Sequence, residues 1–231
     1  MNTISIHQPN FLPWIGFFNK IVKSDVFIIL DDVKCSKGSF FNRNRFSIKK
    51  NSDWFWLSVP IEKSNFHLNI NDVYVDSKFI NDHNKHFELF HLKNSKEPDL
   101  IKQLIEIYKK YNKNEKFKLI DFNIDAINLI LRSIDCKTSI VKSSDIIKNN
   151  NFKKQDLIIE IIKKVKGTHY LSGMGAKSYQ DINLFIKNGI NLKYNEFIYD
   201  ENFLIKNEHM SVFDFFLKEN ICQLKKNLFL H

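Results

Sequence analysis

The chain has 231 residues, 43% hydrophobic and 14% aromatic, with a formal net charge of +9. That length and apolar content predict one α/β domain over 1–231 with a buried core, and exclude a disordered chain. No apolar run reaches the roughly 18 residues of a membrane span, and no basic segment leads into an apolar stretch at the start, so neither a membrane segment nor a cleaved leader is expected.

A short apolar run predicts a first strand over 3–6, followed by a proline-stiffened loop and a helix over about 13–23. A second run predicts a strand over 26–31 that ends in Asp31-Asp32. Residues 32–46, rich in Ser, Asn and Arg, read as a loop. Trp54 to Val59 reads as a strand stopped by Pro60, with Val73-Tyr74-Val75 as a short partner. From Lys78 to about Arg132 the pattern is helical: Leu100, Leu104, Ile107 and Tyr108 fall on one face. Within it, 125–134 reads as a separate helix capped by Asp121 or Asn123. Strands follow at 138–141, 169–172 and 191–194. They alternate with helices over 154–165, ending near Gly167, and 177–187, ending near Gly189. A last helix is expected over 211–218, with Ser211 as N-cap and Asp214 at N3. Strand–helix alternation of this kind predicts a mostly parallel Rossmann-like sheet with helices on both sides. The helical stretch at about 78–120 is expected to form a cap over the strand ends. Asn149-Asn150-Asn151 reads as a surface loop.

Cys35, Cys136 and Cys222 are odd in number and widely spaced, which argues against a disulfide framework or a structural zinc and fits a reducing cytoplasm. The positive charge favours anionic partners, yet the lysines are scattered among acids and no nucleic-acid module is recognisable. A solvated lysine-rich surface is the plainer reading. Most of the 22 phenylalanines sit at core-like periodic positions.

Ligands in parallel sheets bind beyond the carboxyl ends of the strands. His7, Gln8, Asp31 and Asp32 sit at two such ends. His7 can act as an acid or base or bind phosphate, or simply cap the core; Gln8 offers a donor and an acceptor. Asp31 and Asp32 can bind a cation, hydrogen-bond a ribose or orient an amine, or they can be a turn or helix-cap pair. Arg43 and Arg45, in Asn42-Arg43-Asn44-Arg45, can grip phosphate bidentately. Gly16 allows close approach at the first helix. Ser172-Gly173-Met174-Gly175-Ala176-Lys177 lies between a strand and a helix, where backbone N–H groups can meet an anion; it lacks the spacing of a P-loop or dinucleotide fingerprint. His83, His86 and His91 share a helix without a metal-binding pattern and read as surface or core residues, and no metal site is expected.

Several blocks resemble the WbqC-like family. They are Ile6-His7-Gln8-Pro9 through Phe11-Leu12-Pro13-Trp14, Gly16-Phe17-Phe18 and Lys20-Ile21, then Ser24-Asp25, Asp31-Asp32-Val33 and Asn42 to Arg45. Tyr170 to Ala176 with Tyr179, and Met210-Ser211-Val212 with Asp214, complete a likeness over essentially the whole chain. The family is associated with bacterial O-antigen and surface-polysaccharide clusters. The resemblance therefore implies a cytoplasmic enzyme that installs an acyl or aminoacyl group, such as glycyl, on the amine of a nucleotide-linked amino deoxysugar. It implies Asp31, Asp32, His7 and Gln8 as the catalytic set. Asn42, Arg43, Arg45, Trp14, Gly16, Ser172, Gly173, Gly175, Lys177 and Tyr179 would bind substrate. The donor is left open between acyl-CoA, an acyl-carrier-protein thioester, aminoacyl-tRNA, and free acid with ATP. A weaker likeness is to pantothenate-synthetase-like amide ligases, which implies ATP chemistry; Phe17 stands where their HIGH-type motif carries a histidine. A non-catalytic module that binds sugar nucleotide or glycan is the alternative of another class.

Overall fold

The computed structural model describes residues 2–47, 54–148, 152, 154–197 and 210–229. Strand β1 (Thr3–His7) leads through helix α1 (Ile15–Val22) to β2 (Val26–Ile29). A ribbon of β3 (Arg43–Ser47) and β4 (Trp54–Ser58) follows, then β5 (Tyr74–Asp76) and α2 (Lys78–His86). A π-helical turn at Phe87–His91 continues into the single turn α3 (Leu92–Asn94), then α4 (Pro98–Tyr111), β6 (Lys116–Lys118) and α5 (Leu119–Ser133). The chain then runs through β7 (Ser139–Lys142), α6 (Ser143–Ile146), α7 (Lys154–Lys164), β8 (His169–Gly173), α8 (Ile182–Lys187) and β9 (Asn191–Asn195). Helices α9 (Val212–Phe215) and α10 (Ile221–Phe229) come last.

Five parallel strands form the central sheet in the order β7-β2-β1-β8-β9. The pleat sends alternate side chains to opposite faces. Phe27 and Ile29 join α1, α5 and α10 in one core, while Ile4, Ile6 and Ile28 meet Leu157, Ile161 and Ile162 of α7 and Phe185 of α8 in the other. Helices therefore cover both faces, as expected of a doubly wound fold. Among the described residues no helix is long and apolar enough to cross a membrane.

Four local expectations are corrected. Residues 32–46 contain strand β3, and β4 pairs with it rather than with 73–75; Tyr74–Asp76 pairs instead with Lys116–Lys118. The helix placed at 125–134 begins at Leu119. Asn123 is then no cap: it is buried and donates to the Pro9 and Phe41 carbonyls at 2.9 and 2.8 Å. The helix placed at 177–187 begins at Ile182, where Asp181 accepts from the Asn183 amide at 3.0 Å. The helix expected over 211–218 is the short α9, capped by Ser211 as anticipated, and α10 follows it unannounced. The Asn149-Asn150-Asn151 loop lies outside the described residues.

Candidate functional site

The chain leaves β1 toward β2 and β7 on one side and returns to β8 and β9 on the other, so the order reverses between β1 and β8. Such a switch point is where doubly wound sheets bind ligands. The β1–β8 ladder is confined to Thr3↔His169 and Ile4↔Tyr170, whereas β1–β2 pairing runs to His7 and β8–β9 pairing to Gly173. Beyond that ladder the Ser5 hydroxyl, not a backbone amide, reaches the Leu171 carbonyl at 3.1 Å. The loops that leave His7 and Gly173 thus start from neighbouring strand ends at the carboxyl edge.

His7 lies on the α1 side, edge-on to Phe17 at 5.2 Å, with Nδ1 2.9 Å from the Gln8 carbonyl. A carbonyl only accepts, so Nδ1 carries the proton and Nε2 keeps a lone pair. Burial, helped by the nearby Lys20 charge, pushes the imidazole down to about 3, so it is neutral at physiological pH. Lys20, from α1, is buried beside it and donates to the Ile6 carbonyl at 3.1 Å. Burial pushes its amine down to about 7. Sequence reading passes over Lys20, because a lysine on an amphipathic helix normally points to water.

The glycine loop leaves the neighbouring strand, β8. A Cβ at Gly173 or Gly175 would meet nothing within 4 Å, and neither residue has a positive φ. Nothing inside the folded chain therefore demands glycine at either place; both leave open space above the backbone. A 3₁₀ turn at Met174–Ala176 follows β8, so no long helix begins there. Ser172 is buried on the α7–α8 side. Burial raises the Tyr170 phenol to about 12. Gln180 Oε1, the Tyr194 hydroxyl and Asn195 Oδ1 are buried without a hydrogen-bond partner among the described residues. Such atoms cost about 1–3 kcal/mol each when left unsatisfied. No motif flags these three. Lys177 lies 6.0 Å from the Tyr194 ring, and Tyr179 is 68% exposed.

Trp14 folds back over Gly16, where a Cβ would lie 2.1 Å from the indole; Gly16 serves that packing. Phe197, past β9, meets the same indole at 6.1 Å. Asp31 is turned toward β7. Its carboxylate accepts from the Ser143 hydroxyl at 3.0 Å, the Ser144 amide at 2.9 Å and the Ser144 hydroxyl at 2.7 Å, and it is 1% exposed. Asp32 also contacts the Ser143 hydroxyl and is more open to solvent. Asn42 closes the ribbon by donating to the Val59 carbonyl at 2.7 Å. Asn44 points inward and donates to the Phe11 and Leu12 carbonyls at 3.2 and 2.6 Å. Arg43 and Arg45 flank it on β3 and leave from the opposite face. The structure thus gathers His7, Gln8, Gly173 and Gly175 at neighbouring strand ends and sets Asp31 and Asp32 one strand away. Arg43 and Arg45 project from the outer face of the β3–β4 ribbon. Among the described residues no cluster of three or more His, Cys, Asp or Glu could hold a metal.

These features define a doubly wound α/β protein. The chain belongs to the WbqC-like protein family, whose sequence pattern matches residues 8–225. It is 28% identical over 187 residues to the uncharacterized protein Rv1507c of Mycobacterium tuberculosis (strain ATCC 25618 / H37Rv), spanning 80% of this chain and 78% of that one. No solved structure matches.

Proposed function

We propose that the protein is a cytoplasmic N-acyl- or aminoacyltransferase, with glycyl as the simplest group. It forms an amide on the amine of a nucleotide-linked amino deoxysugar destined for O-antigen or another surface polysaccharide. The observation that carries this reading is a neutral His7, backed by Lys20, at the strand end next to the one from which an open glycine loop leaves. The sugar amine attacks the acyl carbon; a C–N bond forms and the bond to the donor's thiolate or ribose oxygen breaks. Nε2 of His7 accepts the ammonium proton as it becomes acidic in the tetrahedral intermediate. Its depressed basicity then favours passing that proton to the departing group. Backbone N–H groups between Gly173 and Ala176 meet the developing oxyanion, with the Gln8 amide beside them. Asp32, the more open carboxylate of its pair, orients the amine, and Asp31 is engaged in holding the β7 end. Fixing both substrates at these strand ends removes much of the entropic barrier to their encounter.

The test is a reconstituted assay in which amino-sugar nucleotides are offered with acyl-CoA, acyl-carrier-protein thioester, aminoacyl-tRNA, or free acid with ATP, and acylation is read by mass spectrometry. His7→Ala should lower turnover by roughly 10²-fold, the usual scale for a proton-transfer group, while sugar-nucleotide affinity changes only a few-fold. Full activity in both His7→Ala and Asp32→Asn overturns the mechanism. Tight sugar-nucleotide binding with no turnover on any donor overturns the enzyme and leaves a binding module.

A further inference from the structure

The ribbon of β3 and β4 has two unlike faces. Asn44, Phe46 and Leu57 are buried inward. The register places Arg45 opposite Trp56, Ser47 opposite Trp54 and Arg43 opposite Ser58, so arginines and tryptophans share the outer face. There the two indoles meet edge to face, 5.6 Å apart at 87°, with guanidiniums over their rings. The Arg45 guanidinium lies 4.7 Å from the Trp54 ring and 5.2 Å from Trp56, and Arg43 lies 4.2 Å from Trp56. Phe40 extends the row, 5.8 Å from Trp56, and Trp54 at its outer end is 37% exposed. Neither guanidinium has a carboxylate within ion-pair distance among the described residues. Arg43 is held by the Gly38 carbonyl at 2.8 Å, and the Nε atoms of both arginines are buried without a partner among the described residues.

From this array we infer that the outer face of the ribbon binds single-stranded nucleic acid. Two guanidiniums without a carboxylate partner among the described residues call for phosphate oxygens, and the indole rings beside them are stacking partners for bases. A mononucleotide calls for a concave pocket. A row of aromatic rings and cations along one face of a ribbon fits successive nucleotides instead, and the net charge of +9 supports their approach. Among the donors open to the proposed reaction a strand held here favours aminoacyl-tRNA; that last step alone rests on the acyl-transfer reading.

The experiment is fluorescence anisotropy of a short labelled single-stranded RNA and its DNA counterpart on the intact protein, across a salt series. Trp54→Ala and Trp56→Ala should each weaken binding roughly tenfold or more, the scale of one lost base stack. Arg43→Gln and Arg45→Gln, which spare the apolar face, should each lower the salt slope by about one. Lys163→Gln, on α7, is the control for bulk charge and should change little. The assignment is overturned if neither strand binds, if Lys163→Gln weakens binding as much as the ribbon variants, or if CoA or a sugar nucleotide displaces the strand. Because the readout is binding alone, its failure is separate from failure of the acyl-transfer assay.

Discussion

Lys20 is the side chain whose environment departs furthest from what its residue type leads one to expect. Its amine is buried between α1 and the sheet with one acceptor, the Ile6 carbonyl, and burial lowers its basicity from 10.5 to about 7. The unfolded chain therefore holds a proton on this amine between about pH 7 and 10.5 that the folded chain has released. Its stabilising effect is full above that window and is lost as pH falls through it, so stability should rise with pH from about 7 toward 10. Lys20→Met keeps the length of the side chain and removes the titration. Urea midpoints measured from pH 7 to 10 should climb in the parent and stay flatter in Lys20→Met. Equal slopes in the two proteins would show that Lys20 is not a buried amine. The contrast with His7 shows what sequence conveys at this scale. A histidine after an apolar run and before two prolines announces a strand end, and the structure places it there. A lysine inside an amphipathic helix announces only solvent.

Within the β3–β4 ribbon, β4 was legible in the sequence and β3 was not. Asn42-Arg43-Asn44-Arg45 reads as a polar loop because the outward positions carry guanidiniums and one inward position carries Asn44, whose amide is spent on loop carbonyls rather than on apolar packing. The parallel strands, with apolar residues on both faces, were legible; short elements held by distant partners were not. Ser47 at the end of β3 illustrates such a partner. Its amide donates to Asp214 Oδ2 at 2.6 Å, while Oδ1 of the same carboxylate meets His91 Nε2 at 2.6 Å. The π-turn at Phe87–His91 delivers that imidazole, and both side chains are almost wholly buried. Removing one member of a buried hydrogen-bonded pair strands the other, at a cost of roughly 3–5 kcal/mol. Asp214→Ala should lower stability on that scale in chemical denaturation. Asp99→Ala, which breaks only an exposed pair with Lys102, should leave the midpoint unchanged. An Asp214→Ala protein as stable as its parent would mean that the ribbon is not fastened through this carboxylate.

At the scale of the molecule the two cores are joined by the sheet, and imidazoles are buried around one of them. His7 is pushed down to about 3; His83 and His86 fall to about 4 through burial, with His91 and His83 adding repulsion at His86. All three are neutral in the folded chain and take up protons near 6.5 once unfolded, so the unfolded state binds more protons as pH falls below 6.5. The sign is that of a depressed group: the stability is present above 6.5 and is lost progressively toward 4. Each imidazole contributes at most about 1.4 kcal/mol per pH unit, less for the partly open His7 and His86. Against a typical net stability of about 5–15 kcal/mol, the chain should unfold in mild acid, well above the range where exposed carboxylates titrate. His86 offers a specific check. Its ring packs among Phe46, Phe55 and Phe90, and its Nε2 has no partner among the described residues, so His86→Phe removes the titration without removing a hydrogen bond from that nitrogen. Denaturant midpoints followed from pH 7 to 4 should fall in the parent and fall less steeply in His86→Phe. A parent midpoint that holds constant down to pH 4 would show that these histidines do not govern the acid limit.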